Sequence, residues 1–165
     1  MEYNYFVYNK PECNLIINKM PKWYQETKFE GDEIQGSIIL HSQNDYDEIW
    51  GPNSKLEITW EKKDRLNLFY YKEIQRSIDM YNAIGLVVTK KEQDWLLSHE
   101  VTTWFGERRL MIRKRYYVEK AIHCVFYCDI TERLFNIHAI VIGKLYDNFN
   151  PFIINSFKSI ICHSI

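Results

Sequence analysis

The 165-residue chain is 46% hydrophobic, 16% aromatic and 26% charged, a profile that fits one compact domain and excludes disordered or fibrous chains. Twenty-one basic against 22 acidic residues leave a formal charge of −1 and a pI near 6.5, so nothing global calls for nucleic acid or an anionic membrane. No stretch reaches ~18 uninterrupted apolar residues and Met1–Lys10 lacks a basic start and an apolar core, so no membrane span and no export signal are expected, and a cytoplasmic location is.

Twelve Tyr, nine Phe and five Trp stand against six Gly and four Pro. Aromatic residues fit a pleated, half-buried surface, so sheet should dominate. No repeat or Gly/Ser/Pro linker divides the chain, and residues 1–165 read as a single domain, 1–20 being an N-terminal extension or first strands. Asn14–Asn18 is a candidate short strand and Ser37–His41 a second, and Gly51-Pro52-Asn53-Ser54 marks a turn. Leu56, Ile58 and Trp60 then alternate with Glu57, Thr59 and Glu61, as in a strand with one wet face.

The period changes at about Leu66. Tyr70, Ile74, Ile78 and Tyr81 recur at helical spacing opposite Lys72, Glu73, Gln75, Arg76 and Asp79, which predicts an amphipathic helix over 66–84, stopped by Gly85. Strand-like runs resume at Leu86–Thr89, His99–Phe105, Arg109–Tyr117, Ile122–Cys128 and Arg133–Ile142. Connections are expected at Gly106, 118–121 and 129–132, and such short links make an antiparallel meander. Asn150-Pro151 predicts the start of a short C-terminal helix with Ile153, Phe157, Ile160 and Ile161 as its apolar stripe. The expected class is α+β: a mostly antiparallel sheet with a central amphipathic helix and a C-terminal helix packed on it, both on one face.

Pro21-x-Trp23 ahead of the first strand, the helix at 66–84, the meander at 99–142 and the terminal helix with Ser156-Phe157 together resemble the PsbP-like fold superfamily, over roughly residues 20–165. Its members include the extrinsic PsbP subunit of photosystem II and a nuclear factor that binds the small GTPase Ran. The resemblance implies a non-enzymatic scaffold or binding module.

Catalytic motifs are mostly missing: there is no G-x-S-x-G, no phosphate loop, no G-x-G-x-x-G and no H-E-x-x-H, His99-Glu100 being a bare dipeptide. An enzyme without a recognisable motif would draw on His99, Glu100, Glu107 or His123, though no spacing argues for it. The densest mix of ligand-type residues is His123, Cys124, Cys128 and His138, with Cys162 and His163 at the end. On a strand Cys124 and Cys128 stand ~13 Å apart at ~3.3 Å per residue, too far to share one zinc. If the turn at 129–132 pairs Cys128 with Arg133, His123 falls opposite His138. Cross-strand histidines are more often ordinary sheet residues than ligands, and neither a metal nor a cofactor is expected. A bridge between Cys128 and Cys162 would close a loop of about 35 residues and contribute ~3–4 kcal/mol; buried free thiols are the plainer alternative.

Arg108–Tyr117 is the strongest local charge signal. On one strand Arg109, Arg113, Arg115 and Tyr117 would share a side, a face able to meet phosphates and stack bases; a solvated face balanced by acids is the alternative, residues 1–60 holding ten acids and five bases. Asp45, Asp47 and Glu48 lack the spacing of a calcium loop. Among the tryptophans an exposed pair, Trp50 and Trp104, would suit an interface anchor. The leading expectation is therefore a non-catalytic protein-interaction module, with a protein partner or self-association. A nucleic-acid-associated protein using the 109–117 strand is the alternative.

Overall fold

The computed structural model describes residues 4–42, 46–47, 51–64, 70–96 and 99–164. A three-stranded sheet joins β1 (Tyr5–Lys10), β2 (Leu15–Pro21) and β12 (Ile160–Ile161). The main sheet has seven strands: β3 (Tyr24–Gly31), β4 (Gln35–Ser42), β7 (Ser54–Lys62), β8 (Val87–Leu96), β9 (His99–Ile112), β10 (Arg115–Cys128) and β11 (Arg133–Ile142). Its order is β3-β4-β7-β11-β10-β9-β8, with every neighbouring pair antiparallel. β5 (Tyr46–Asp47) and β6 (Gly51–Pro52) form a small ladder ahead of β7. The fold is α+β and mostly sheet, as its composition implies.

Helix α1 (Tyr70–Ala83) buries Tyr70, Ile74 and Ile78 at the expected four-residue spacing. Gly85 ends it with φ +90°, and the Gly85 and Leu86 amides return to the carbonyls of Asn82 and Tyr81, a left-handed stop that glycine adopts without strain. Helix α2 spans Tyr146–Phe157. It begins five residues before the predicted Pro151 start, so Pro151 lies inside it and withholds one helical hydrogen bond.

The two helices take opposite faces of the large sheet rather than one. Ile122, Cys124 and Phe126 of β10 share a core with Phe149, Ile153 and Phe157 of α2 and with Leu15 and Ile17 of the small sheet. The alternate residues Ala121 and Val125 join Trp104 and Leu134 beneath Ile74 and Ile78 of α1. Strand alternation delivers apolar residues to both faces here, because this half of the sheet is covered on both sides.

The meander also breaks elsewhere than its composition suggests. β9 and β10 are 14-residue strands running through Gly106 and through 118–121, and they meet at the two-residue turn Arg113-Lys114. Both turn residues have positive φ, 49° and 65°, the geometry that matches the sheet's twist in a tight hairpin. Gly106 is a packing glycine: a Cβ there would stand 2.5 Å from Leu86 Cδ2. The β10–β11 register is the expected one, pairing Cys128 with Arg133 and His123 with His138.

Candidate functional site

Two places collect the side chains that sequence reading singled out. One is the β9–β10 hairpin. Because Arg113 and Lys114 form its turn, Arg109 pairs with Val118 whereas Arg115 pairs with Ile112 and Tyr117 with Leu110. Alternation therefore puts Arg109 on the opposite face of the ribbon from Arg115 and Tyr117, which corrects the single-strand reading of 109–117. Tyr117 is buried at 8% exposure, while Tyr116 is 79% and Met111 60% exposed. The acids of the hairpin are already engaged: Glu119 is buried and bonds the Arg108 guanidinium at 3.2 Å, and Glu107 takes the Lys120 ammonium, whose hydrogen bond and charge hold the Glu107 carboxyl below its ordinary range. No ion pair reaches Arg113, Lys114 or Arg115 among the described residues. An open groove of about 660 Å³ runs beside the hairpin, bordered by Arg109, Arg115, Tyr116, Lys120, Ile142 and Lys144.

Trp104 belongs to the core rather than to a surface. It is fully buried, stacked on His123 with ring centres 4.8 Å apart and tilted against Tyr81 at 5.2 Å. Trp50, Asp45 and Glu48 lie outside the described residues. The two imidazoles predicted to face each other do so, with His123 Nδ1 3.0 Å from His138 Nδ1 and His123 Nε2 3.1 Å from Asn136 Oδ1. Burial drives both toward the neutral form, His123 down to about 4 and His138 well below the usual imidazole range. A neutral His123 that donates from Nε2–H to Asn136 accepts at Nδ1 from His138, so the pair satisfies itself by hydrogen bonding. No third ligand group joins it among the described residues.

The second place is the end of the sheet where β9 begins and β10 ends. Val101 pairs with Phe126, and the same register carried two residues further sets His99 opposite Cys128. The segment after β12 brings Cys162 and His163 to the same spot. His163 Nδ1 is 3.4 Å from His99 Nε2, from Cys128 Sγ and from Cys162 Sγ, and the four donor atoms all lie within 4.8 Å of one another. Cys128 and Cys162 are thus neighbours as expected, but both are free thiols rather than a disulfide, as are buried Cys13 and Cys124. Their titrations are coupled: the hydrogen bond with Cys162, aided by Thr131, pulls the Cys128 thiol below its ordinary range, and the same bond pushes Cys162 up.

Two further groups anchor this end. His99 Nδ1 lies 3.2 Å from Asp129 Oδ1. Arg133, 2% exposed, donates to the carbonyls of Cys13, Asn14, Cys162 and Glu33. Burial works against the Arg133 charge, and the four carbonyls take up its N–H groups. No carboxylate forms an ion pair with it among the described residues. His99 and His163 were not singled out as a pair by sequence, because the four donors come from three separated segments and repeat no ligand spacing.

No family model matches the chain, and no curated protein does. Among solved structures it is similar to PA94 of Pseudomonas aeruginosa, a protein of unknown function, at a TM-score of 0.60 and 8% identity, covering 97% of this chain and 98% of that one. It is equally similar to PsbP of the cyanobacterium Synechocystis sp. PCC 6803, at a TM-score of 0.60 and 10% identity, covering 94% and 91%. At such identities the likeness is one of fold, and the fold is PsbP-like.

Proposed function

We propose that this PsbP-like chain is a non-catalytic protein-interaction module that presents the β9–β10 hairpin and its groove to an acidic segment of a partner protein. The observation that carries the reading is the union of apolar and cationic groups at one tip. Met111 and Tyr116, on the face that carries Arg109, offer exposed apolar area next to the Arg113-Lys114 turn, with Arg115 on the other face of the same tip, while Glu107 and Glu119 are paired within the hairpin. Exposed aromatic and arginine side chains at a projecting rim are the groups that most often anchor protein contacts, and an unbalanced cationic tip steers an acidic partner. The single stacking face expected of Arg109, Arg113, Arg115 and Tyr117 is not formed, since Tyr117 is buried and Arg109 faces away from Arg115.

The test is capture of partners from the native cell, with nuclease treatment, using the wild-type chain and a variant carrying Arg113→Asn, Lys114→Gly and Arg115→Thr. Those substitutions keep the tight turn and remove three charges. A protein that survives nuclease on the wild type, is lost from the variant and is released by moderate salt supports the reading. Recovery that disappears with nuclease favours the nucleic-acid alternative, and equal recovery by both chains places the contact elsewhere.

A further inference from the structure

We infer that His99, Cys128, Cys162 and His163 form a structural zinc site that ties the C-terminal segment to the end of the large sheet. Independently of any partner at the hairpin, the geometry of the donors carries this. A tetrahedral zinc with bonds of ~2.0–2.1 Å to nitrogen and ~2.3 Å to sulfur requires donor separations of roughly 3.4 Å between nitrogens and roughly 3.6 Å between nitrogen and sulfur. The three separations from His163 Nδ1 are each 3.4 Å, one to nitrogen and two to sulfur. Two thiol sulfurs and two imidazole nitrogens are the donor set that zinc takes, and four protein donors leave no open position for water or substrate. The site therefore staples and does not catalyse.

The groups around the donors fit the same role. Asp129, 3.2 Å from His99 Nδ1, accepts that N–H and leaves a lone pair on Nε2 facing the other donors, the arrangement by which a carboxylate orients a ligating histidine. His99, Cys128 and Cys162 are buried and His163 is half-buried, so the ion would be shielded from water yet reachable past His163. Without a cation, a nitrogen lone pair and two sulfurs converge on one imidazole nitrogen that can donate at most one proton. Metal binding satisfies all four donors at once and releases the thiol protons to solvent. The staple would join three segments: the start of β9, the end of β10 and the residues that follow β12.

The test uses untagged full-length protein, purified without chelator from zinc-containing medium. The expected result is one equivalent of zinc by elemental analysis, and two sulfur plus two nitrogen neighbours by X-ray absorption. Cobalt titrated into reduced, metal-free protein should give the visible bands of a tetrahedral site with sulfur-to-metal charge transfer. Cys128→Ser and His163→Ala should each abolish those bands, and Asp129→Asn should weaken zinc by about tenfold. Should the ligand variants fail to fold, absorption spectroscopy on the wild type decides alone. Metal-free protein that takes up no cobalt overturns the site. So does a Cys128–Cys162 disulfide in protein kept from added oxidant, or zinc held by any other donor set.

Discussion

At the scale of single residues, the buried imidazole pair makes stability depend on pH. His123 titrates at about 4 in the folded chain against an ordinary 6.5, and His138 is depressed in the same direction by burial, by His123 and by the Lys55 and Arg108 charges, with Glu57 paired across the ladder. The unfolded chain thus binds more protons, and stability is full above about pH 6.5 and lost as pH falls toward 4. His123 alone accounts for about 3 kcal/mol of that loss. Urea unfolding between about pH 7 and pH 5 should show it, and replacing both histidines with glutamine should flatten the dependence. Arg133 is the other residue with a disproportionate role. Arg133→Met would strand the carbonyls of Cys13, Asn14 and Cys162 and should cost about 3 kcal/mol or more in denaturant unfolding. A loss below about 1 kcal/mol would mean that water reaches those carbonyls.

At the scale of elements, the long hairpin is the decisive unit. Its turn uses Arg113 and Lys114 in the left-handed region, where side chains with a Cβ are disfavoured and Asn-Gly is preferred. Arg113→Asn with Lys114→Gly should therefore raise stability by about 1–2 kcal/mol in urea unfolding; a loss would indicate that the two cations stabilise the fold from outside the turn. The same hairpin shows where sequence reading stopped short. Glycine punctuates strands, so in the sequence Gly106 reads as a connection, yet it lies within β9 where Leu86 packs closely against it. A turn at 113–114 sets His99 opposite Cys128 by counting alone. The β10–β11 turn at 129–132 is legible in the chain, and counting from it gives the His123–His138 pair that the ladder shows.

At the scale of the whole molecule, the zinc site would connect the small sheet, through the residues following β12, to the end of the large one. Chelation should then lower stability by about 3 kcal/mol where free zinc exceeds its dissociation constant a hundredfold. Thermal unfolding with and without chelator measures it, and an unchanged midpoint would contradict the linkage. Hydrogen exchange should report the loss first in β12 and in the start of β9.

Local pattern determined much by itself: the α1 stripe and its glycine stop, the dominance of strands, the alternation in β7 and the β10–β11 register all follow from spacing within a few residues. Even the order of elements resembling the PsbP-like fold could be read from the chain. Tertiary structure decided which faces the helices cover, which of the aromatics are buried, and which donors meet. Trp104 is a core residue because α1 closes over its side of the sheet, and Tyr117 is buried although it stands in a charged stretch next to exposed Tyr116, facts that no window of sequence contains. His99, Cys128 and the Cys162-His163 pair converge because a hairpin register and the return of the C-terminus after α2 bring them together, and distances set by the fold leave no periodic mark on the chain.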